Sequence, residues 1–174
     1  AQAFIDAKEL AFPGASEWKK TVIQDAKSVG FVVTRLGARR HLAAMLMSSD
    51  KFEASKAERQ SVNFIIQSSS AEMTKLAEGR VFRNRILAKY DCEYVAAIHD
   101  ELCFSVVEDE LVKFIPEVHA IMTEQYADMV VPVGSSVSFG PSFGVQSELE
   151  GDFSDEKINA VLREFRTSSA AWGI

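Results

Sequence analysis

Three adjacent polar residues, His99, Asp100 and Glu101, interrupt an otherwise mostly apolar stretch that runs from Tyr94 to Val107. The flanking segments are rich in Val, Ile, Phe and Tyr, so the stretch predicts two strands joined by a tight polar turn. A hard divalent cation prefers carboxylate oxygens, and the end of a rigid sheet holds such ligands in place. The turn is therefore a candidate metal site, although Asp, Glu and His also occur at ordinary solvated turns.

A second candidate surface lies on a long helix predicted from about Ser55 to Lys89. Polar residues recur on it every three or four positions and therefore share one face; the central ones, Arg59, Asn63 and Gln67, are called the polar stripe. Asn and Gln are poorer choices than Lys and Glu for a merely solvated face. The polar stripe is either a seam against another part of the protein or a surface that donates hydrogen bonds to nucleic acid.

Charge is unevenly distributed along the chain, although the net charge is only −6. Residues 1–89 hold 15 Lys and Arg against 9 Asp and Glu, whereas residues 90–174 hold 4 against 16. Arg39 and Arg40 belong to a basic patch that follows a predicted turn. A basic segment can meet phosphates, but an acidic one needs intervening metal ions to do so. Solvated charge on helix faces is the alternative explanation.

Length and composition restrict the class of protein. A chain of 174 residues, 47% hydrophobic and 25% charged, predicts one compact domain or a piece of a larger one. No apolar run is long enough to span a bilayer and no signal peptide opens the sequence, so we expect no membrane partner. Cys92 and Cys103 are too few for a disulfide framework and predict buried thiols in a reducing compartment. The first residue is Ala1 rather than Met, which indicates a processed product or a fragment.

Helical and strand patterns alternate along the chain. Helices are predicted over 1–12, from a cap at Ser16 to Gly30, over 55–89 and 108–127, and after Ser154; strands are predicted over 31–34, 94–107 and 130–139. The sequence Asp152-Phe153-Ser154 is interpreted as a helix cap.

Five segments occur in the order that is typical of one polymerase family: AQAFIDAKELAFPGASEW, GFVVTRLGARRHL, AERQSVNFIIQSSSAEMTKLA, IHDELCF and VSFGPSFG. Through them, residues 1–148 resemble the C-terminal half of the polymerase domain of family A DNA polymerases, the bacterial DNA polymerase I group and its phage relatives. Ala38, Ser68 and Glu72 replace the Arg, Gly and Asp usual in the family, which favours a phage-type member. The family's motif A, motif B and thumb are not found in the sequence, so the resemblance implies a split or processed polymerase.

The resemblance implies an α+β fold, the C-terminal half of a polymerase palm. An antiparallel sheet with the motif C hairpin would be packed by helices, and the remaining fingers helices would precede it. Residues 1–54 would hold the fingers-derived helices and an Arg-rich turn. Residues 55–148 would form the palm with the long helix and the motif C hairpin, and residues 149–174 would form a C-terminal tail with a short helix.

The resemblance also implies roles for individual residues. Asp100 would be the motif C carboxylate that binds catalytic magnesium, two Mg²⁺ ions in the assembled site, with Glu101 beside it as a secondary contributor. His99 would lie near the primer terminus. The polar stripe would contact the minor groove of primer–template DNA, and Arg39 and Arg40 would contact the template or its backbone.

The activity implied is the template-directed transfer of deoxynucleotides, from deoxynucleoside triphosphates, to a primer 3′ end. Asp100 alone leaves a two-metal site half built, so we expect the chain to be inactive without a complementary polymerase fragment or subunit. We expect the protein in the cytoplasm, or in the host cytoplasm if a phage encodes it. A non-catalytic DNA-binding or structural accessory module that keeps the palm scaffold is the alternative.

Overall fold

A computed structural model of the chain describes residues 2–125, 129–149 and 151–172. The helices are α1 (Gln2–Ala11), α2 (Pro13–Val29), α3 (Ala43–Leu46), α4 (Lys51–Arg83), α5 (Ile86–Lys89), α6 (Leu111–Met122) and α7 (Asp155–Trp172). The strands are β1 (Phe31–Val33), β2 (Arg39–His41), β3 (Cys92–Ile98), β4 (Glu101–Val106), β5 (Val137–Ser142) and β6 (Val145–Leu149). Helices mixed with small antiparallel sheets agree with the predicted α+β class.

Every strand pairs with its neighbour along the chain, and the pairs β1–β2, β3–β4 and β5–β6 are all antiparallel. The chain divides into two compact units, Ala1–Met73 and Thr74–Ile174, with the division inside α4. Each unit has its own cluster of buried apolar residues. The domain limits predicted at residues 54 and 148 stay predictions.

The first unit is organised around the end of α2. Gly30 ends this helix, as the sequence predicts, in the left-handed region with φ 81°. A Cβ atom at Gly30 would lie 2.9 Å from the Cβ of Ala43, so both the backbone conformation and the approach of α3 require glycine. Helix α2 begins at Pro13 rather than after the predicted cap Ser16, because proline fits the first helical turn. The buried apolar residues of this unit are Val22, Ala26, Val32, Leu42, Leu46, Ala57 and Val62.

The second unit places the β3–β4 hairpin on a base of aromatic rings. Edge-to-face contacts link Tyr94 to Phe104, Phe104 to Phe114 and Phe114 to Tyr90, with centroid separations of 5.5, 5.2 and 5.6 Å. These contacts join both strands to α6 and to the residue that follows α5, so the hairpin cannot shift without breaking aromatic packing. Helix α7 contributes Ile158, Val161 and Leu162 to the same core.

The long helix differs from its predicted limits at both ends. It begins at Lys51, before the predicted Ser55, because the Asp50 carboxylate accepts a hydrogen bond of 2.8 Å from the backbone N–H of Phe52. It continues through Gly79 and ends at Arg83, and α5 follows. The predicted helix over 108–127 is α6 preceded by one 3-10 turn, and its predicted end lies outside the described residues.

The strand predicted over 130–139 is displaced toward the C-terminus. Pro132 and Gly134 precede the paired residues, and β5 begins only at Val137. Strand β6 was not predicted. A Cβ atom at Gly140 would lie 1.9 Å from the backbone oxygen of Val145, so glycine allows the close pairing of β5 with β6.

Helix α7 begins at the predicted cap. The backbone N–H of Ser154 donates to the Asp152 carboxylate at 2.9 Å, and the Ser154 hydroxyl accepts from the N–H of Lys157 at 3.3 Å. The bond from Ser154 lowers the pKa of Asp152. With 18 residues, α7 is longer than the short helix predicted. Across the described residues, no helix has the length and apolar character needed to cross a membrane.

Candidate metal-binding turn and nucleic-acid interface

The predicted hairpin is confirmed, and its turn consists of two residues. Ile98 pairs with Glu101, which leaves His99 and Asp100 between the strands. His99 adopts a left-handed backbone conformation, φ 56°, as tight hairpin turns require. The side chains of His99, Asp100 and Glu101 are all exposed. The turn therefore presents two adjacent carboxylates to solvent from the end of a packed hairpin.

A hydrogen bond to α4 holds the strand that leads into this turn. The Tyr94 hydroxyl donates to the Glu78 carboxylate at 2.6 Å, and burial together with this bond raises the pKa of Tyr94 to about 12. The pairing of β3 with β4 shifts register between Tyr94 and Ala96, which makes Val95 the extra residue of a β-bulge. Sequence reasoning missed this support, because nothing in the sequence pairs Tyr94 with Glu78.

The carboxylates of the turn suit a hard cation in donor type but form only part of a site. In the part of the chain that the structure describes, neither Asp100 nor Glu101 has an ion pair. No group of three or more His, Cys, Asp or Glu among those residues could hold a metal ion. Mg²⁺ is commonly held by one or two carboxylates together with substrate phosphates rather than by an all-protein cage. The turn therefore fits Mg²⁺ as one portion of a composite site.

The two cysteines lie on the strands of the same hairpin. Cys92 and Cys103 are free thiols and are half-buried rather than fully buried. Burial raises the pKa of both thiols, and the nearby charge of Glu101 adds to the effect at Cys103. Both side chains therefore stay protonated near neutral pH and act as small apolar residues.

The polar stripe is exposed along α4 in the first unit. Arg59, Asn63 and Gln67 are four residues apart, and each presents hydrogen-bond donors to solvent. The Arg59 guanidinium donates to the Ser55 hydroxyl at 2.8 Å, which restricts its position on the helix surface. Exposed amide and guanidinium donors at helical spacing can reach acceptors on a nucleic acid.

The two arginines of the predicted basic patch lie on β2, a strand that the sequence did not predict. The Arg40 guanidinium donates to the Gln60 side chain at 3.2 Å and lies 5.6 Å from the ring centroid of Phe64. The Arg39 guanidinium lies 5.2 Å from the ring centroid of Phe31. Arg40 is therefore positioned against α4, beside the polar stripe and within the same unit.

A second contact fixes the β1–β2 turn to α4. Thr34 is buried, and its hydroxyl donates to the Glu72 carboxylate at 2.8 Å and accepts from the N–H of Ala38 at 2.9 Å. The backbone N–H of Arg35 donates to the Ser69 hydroxyl at 3.2 Å. Ala38 and Glu72, two of the residues that depart from the family pattern, thus both form hydrogen bonds with the Thr34 hydroxyl.

A groove of about 240 Å³ lies between α2 and α4 in the first unit. Its lining residues are Lys19, Ile23, Ser55, Glu58, Arg59, Val62 and Asn63. Two members of the polar stripe therefore share a groove with Lys19, which sequence reasoning missed. No sequence signal identifies Lys19, because only the packing of the two helices brings it near Arg59.

The predicted site residues divide between the two units. His99, Asp100 and Glu101 belong to the second unit, and the polar stripe with Arg39 and Arg40 belongs to the first. The structure brings the residues of each group together within their own unit.

The comparisons with known proteins identify the family of this chain. Residues 1–145 match the model of DNA polymerase family A. The chain therefore belongs to DNA polymerase family A, as the order of its motifs predicted.

Individual relatives agree with this assignment. DNA polymerase I of Mycobacterium leprae is 34% identical over 136 residues, 76% of this chain and 14% of the relative. DNA polymerase I of Chloroflexus aurantiacus is 28% identical over 149 residues, 86% of this chain and 16% of the relative. The chain thus spans about a sixth of the length of the curated relatives it matches.

A solved structure supports the fold. The POL domain of Pol1 from M. smegmatis, in complex with DNA primer-template and dNTP, matches with a TM-score of 0.70 and 29% sequence identity. The match covers 76% of this chain and 23% of the other. The predicted α+β class, as part of a polymerase domain, is therefore confirmed.

Proposed function

We propose that residues 1–174 supply the motif C turn and a DNA-binding helix to a DNA-directed DNA polymerase. The enzyme would transfer deoxynucleotides from deoxynucleoside triphosphates to a primer 3′ end, as directed by a template. The observation that carries the proposal is the exposed pair formed by Asp100 of the turn and Glu101 at the start of β4, in a chain of DNA polymerase family A. A bare packing turn would not need two adjacent, unpaired carboxylates.

Asp100 is proposed as the magnesium ligand and Glu101 as a secondary contributor. Asp100, with Glu101 beside it, would help to hold two Mg²⁺ ions, which would supply charge stabilisation for the attacking 3′ oxygen and the leaving pyrophosphate. The contribution of this chain would be orientation, because the packed hairpin holds the backbone of the turn from which the Asp100 carboxylate extends. The exposure of the turn supports the proposal, since among the described residues neither carboxylate is engaged in an ion pair.

The remaining predicted residues are proposed to hold DNA. The polar stripe would donate to the acceptors that all base pairs share in the minor groove, and so sense pair geometry without reading sequence. Arg39 and Arg40 would contact the template backbone, and His99 would lie near the primer terminus. Support comes from the exposure of these side chains and from the similar POL domain of Pol1 from M. smegmatis, which was solved in complex with DNA primer-template and dNTP.

We further propose that a complementary polymerase segment, outside residues 1–174, contributes motif A, motif B and the thumb. The support is that the recognisable motifs of residues 1–174 include only one of the metal-binding carboxylate motifs. The phage-type assignment stays a prediction that depends on the divergent residues Ala38, Ser68 and Glu72.

Primer extension tests the proposal directly. Residues 1–174 are assayed at fixed magnesium and salt, with and without a complementary polymerase segment that carries motif A, motif B and the thumb, and an Asp100→Ala variant runs in parallel. We expect extension only with both segments, and we expect the variant to abolish it. Extension that survives Asp100→Ala, or no extension with the complementary segment present, would favour a non-catalytic DNA-binding or accessory role.

A further inference from the structure

The groove between α2 and α4 has a chemical character that the proposed function does not use. Its floor is apolar, because Ile23 is half-buried and Val62 is buried. Its rim carries the cations Lys19 and Arg59 and the amide of Asn63. An apolar floor below cationic and amide donors is complementary to a sugar–phosphate unit, whose sugar has an apolar face and whose phosphate is an anion.

The charges around the groove favour an anion rather than a cation. Glu58 is the one acidic residue among the lining side chains, and Lys27 forms an ion pair with it. Lys19, four residues from Ile23 and eight from Lys27, lies on the same face of α2. In the described part of the chain, Lys19 has no carboxylate partner of its own. The rim therefore has an uncompensated positive charge.

The groove adjoins the surface proposed to bind DNA. On a helical wheel of about 100° per residue, Arg59 and Asn63 lie between the face of α4 that meets α2 and the face that meets Arg40. The polar stripe is thus flanked by Lys19 on one side and by Arg40 on the other. Cations on both sides of a row of amide donors match the two phosphate backbones that flank a minor groove.

We propose that Lys19 binds a backbone phosphate of primer–template DNA, with the adjoining sugar seated in the groove formed by α2 and α4. The inference rests on the proposed DNA-binding function and adds a binding residue that neither the motifs nor the comparisons assign. The contact is independent of base sequence, because it is made to the backbone.

Binding of a fluorescein-labelled primer–template duplex to the full chain tests the proposal, with fluorescence anisotropy measured over a range of KCl concentrations. Each phosphate neutralised contributes about 0.9 to the slope of log affinity against log salt concentration. We therefore expect Lys19→Gln to lower that slope by about 0.9 and the affinity about fivefold to tenfold near 0.1 M KCl. Lys19→Arg should retain both the slope and the affinity of the wild-type chain.

Lys20 provides the matched control. It is the next residue on α2, is also exposed, and lies outside the groove lining. We expect Lys20→Gln to change the affinity less than about twofold. Equal losses from Lys19→Gln and Lys20→Gln would overturn the proposal in favour of general electrostatic attraction, and an unchanged affinity for Lys19→Gln would overturn it outright.

The outcomes separate this inference from the proposed function. If the wild-type chain binds the duplex and Asn63→Ala weakens binding while Lys19→Gln does not, the proposed function stands and the role of Lys19 fails. If the wild-type chain does not bind primer–template at all, the DNA-binding role of the polar stripe fails together with that of Lys19, whereas primer extension tests the role of Asp100 separately. Circular dichroism of each variant checks that the exposed substitutions leave the helices intact.

Discussion

The turn at His99–Glu101 and the polar stripe on α4 are both exposed, yet they hold their side chains in different ways. Asp100 and Glu101 are adjacent in sequence, carry negative charge and stand on a hairpin braced by aromatic packing. Residues of the polar stripe are four apart, present N–H donors and depend on the regularity of one helix. A contiguous turn concentrates chemistry in one or two side chains, whereas a helical face distributes binding over many.

This difference predicts that substitutions in the two regions reduce function by unequal amounts, and that the largest reduction comes from the turn. In the complete polymerase, Asp100→Asn keeps the side-chain size but removes its charge, so we expect primer extension to fall on the order of a thousandfold. Glu101→Gln should cost only about tenfold, because its role is secondary. Rates of extension at saturating nucleotide measure both.

Asp91 provides the control for these two substitutions. It is an exposed carboxylate at the opposite end of the same hairpin, next to Cys92. Asp91→Asn should leave extension unchanged. Equal effects of the substitutions at Asp100 and Glu101 would show that the turn does not concentrate its function in one carboxylate.

A single member of the polar stripe should matter less. We expect Asn63→Ala to weaken binding of a primer–template duplex by about 1 kcal/mol, roughly fivefold, because one set of amide donors is lost from several. Titration by fluorescence anisotropy measures the affinity. Asn159→Ala removes the same amide from an exposed position of α7 and should have no effect on DNA binding. If Asn63→Ala abolished DNA binding, binding would not be distributed over the side chains of the polar stripe.

The hydrogen bond between Tyr94 and Glu78 gives the next test. Tyr94→Phe removes only the hydroxyl that donates to Glu78, so we expect the free energy of unfolding to fall by about 1 kcal/mol. Denaturant titration measures the change. Glu78→Gln keeps an acceptor for the same hydroxyl and should cost less than Tyr94→Phe. If neither variant changes stability, the bond does not contribute to holding the hairpin.

The smallest effect should depend on pH. Glu117 accepts hydrogen bonds from Lys89 and Tyr90, and these contacts lower its pKa below the ordinary value of 4.5. A lowered pKa of the Glu117 carboxyl stabilises the fold at pH values above 4.5. This stabilisation is lost as the pH falls through the pKa of Glu117 in the folded state. We expect Glu117→Gln to cost about 0.5 kcal/mol near neutral pH, because the pair is partly exposed. Thermal unfolding is measured from neutral to acidic pH for the wild-type chain and for Glu117→Gln. The difference between their unfolding temperatures should disappear at the acidic end.

The elements that sequence alone predicted correctly are those encoded by local pattern. The hairpin follows from two apolar segments around His99-Asp100, and the end of α2 follows from Gly30, which has the left-handed conformation that glycine favours. The cap at Ser154 likewise depends on residues within one turn. Each of these features is determined by interactions between near neighbours.

The features that the sequence did not reveal depend on distant partners. Strand β2 consists of Arg39, Arg40 and His41, which have no strand pattern and become a strand only by pairing with Phe31–Val33. Strand β6 depends on the close approach that Gly140 permits. The neighbourhood of Lys19 likewise exists only after α2 and α4 pack together. Local propensity carries no information about such pairings.

The β-bulge at Val95 makes the direction of the hairpin more sensitive to deletion of that residue than to its substitution. Val95 is 63% exposed, so many side chains can replace it without disturbing a core. Deleting it would leave the pairing of Tyr94 with Phe104 and of Ala96 with Cys103 intact, but in a regular ladder. The bend and the added twist that a bulge gives its strand would be lost. The presence of the extra residue, more than its identity, therefore sets the direction in which the hairpin carries its turn.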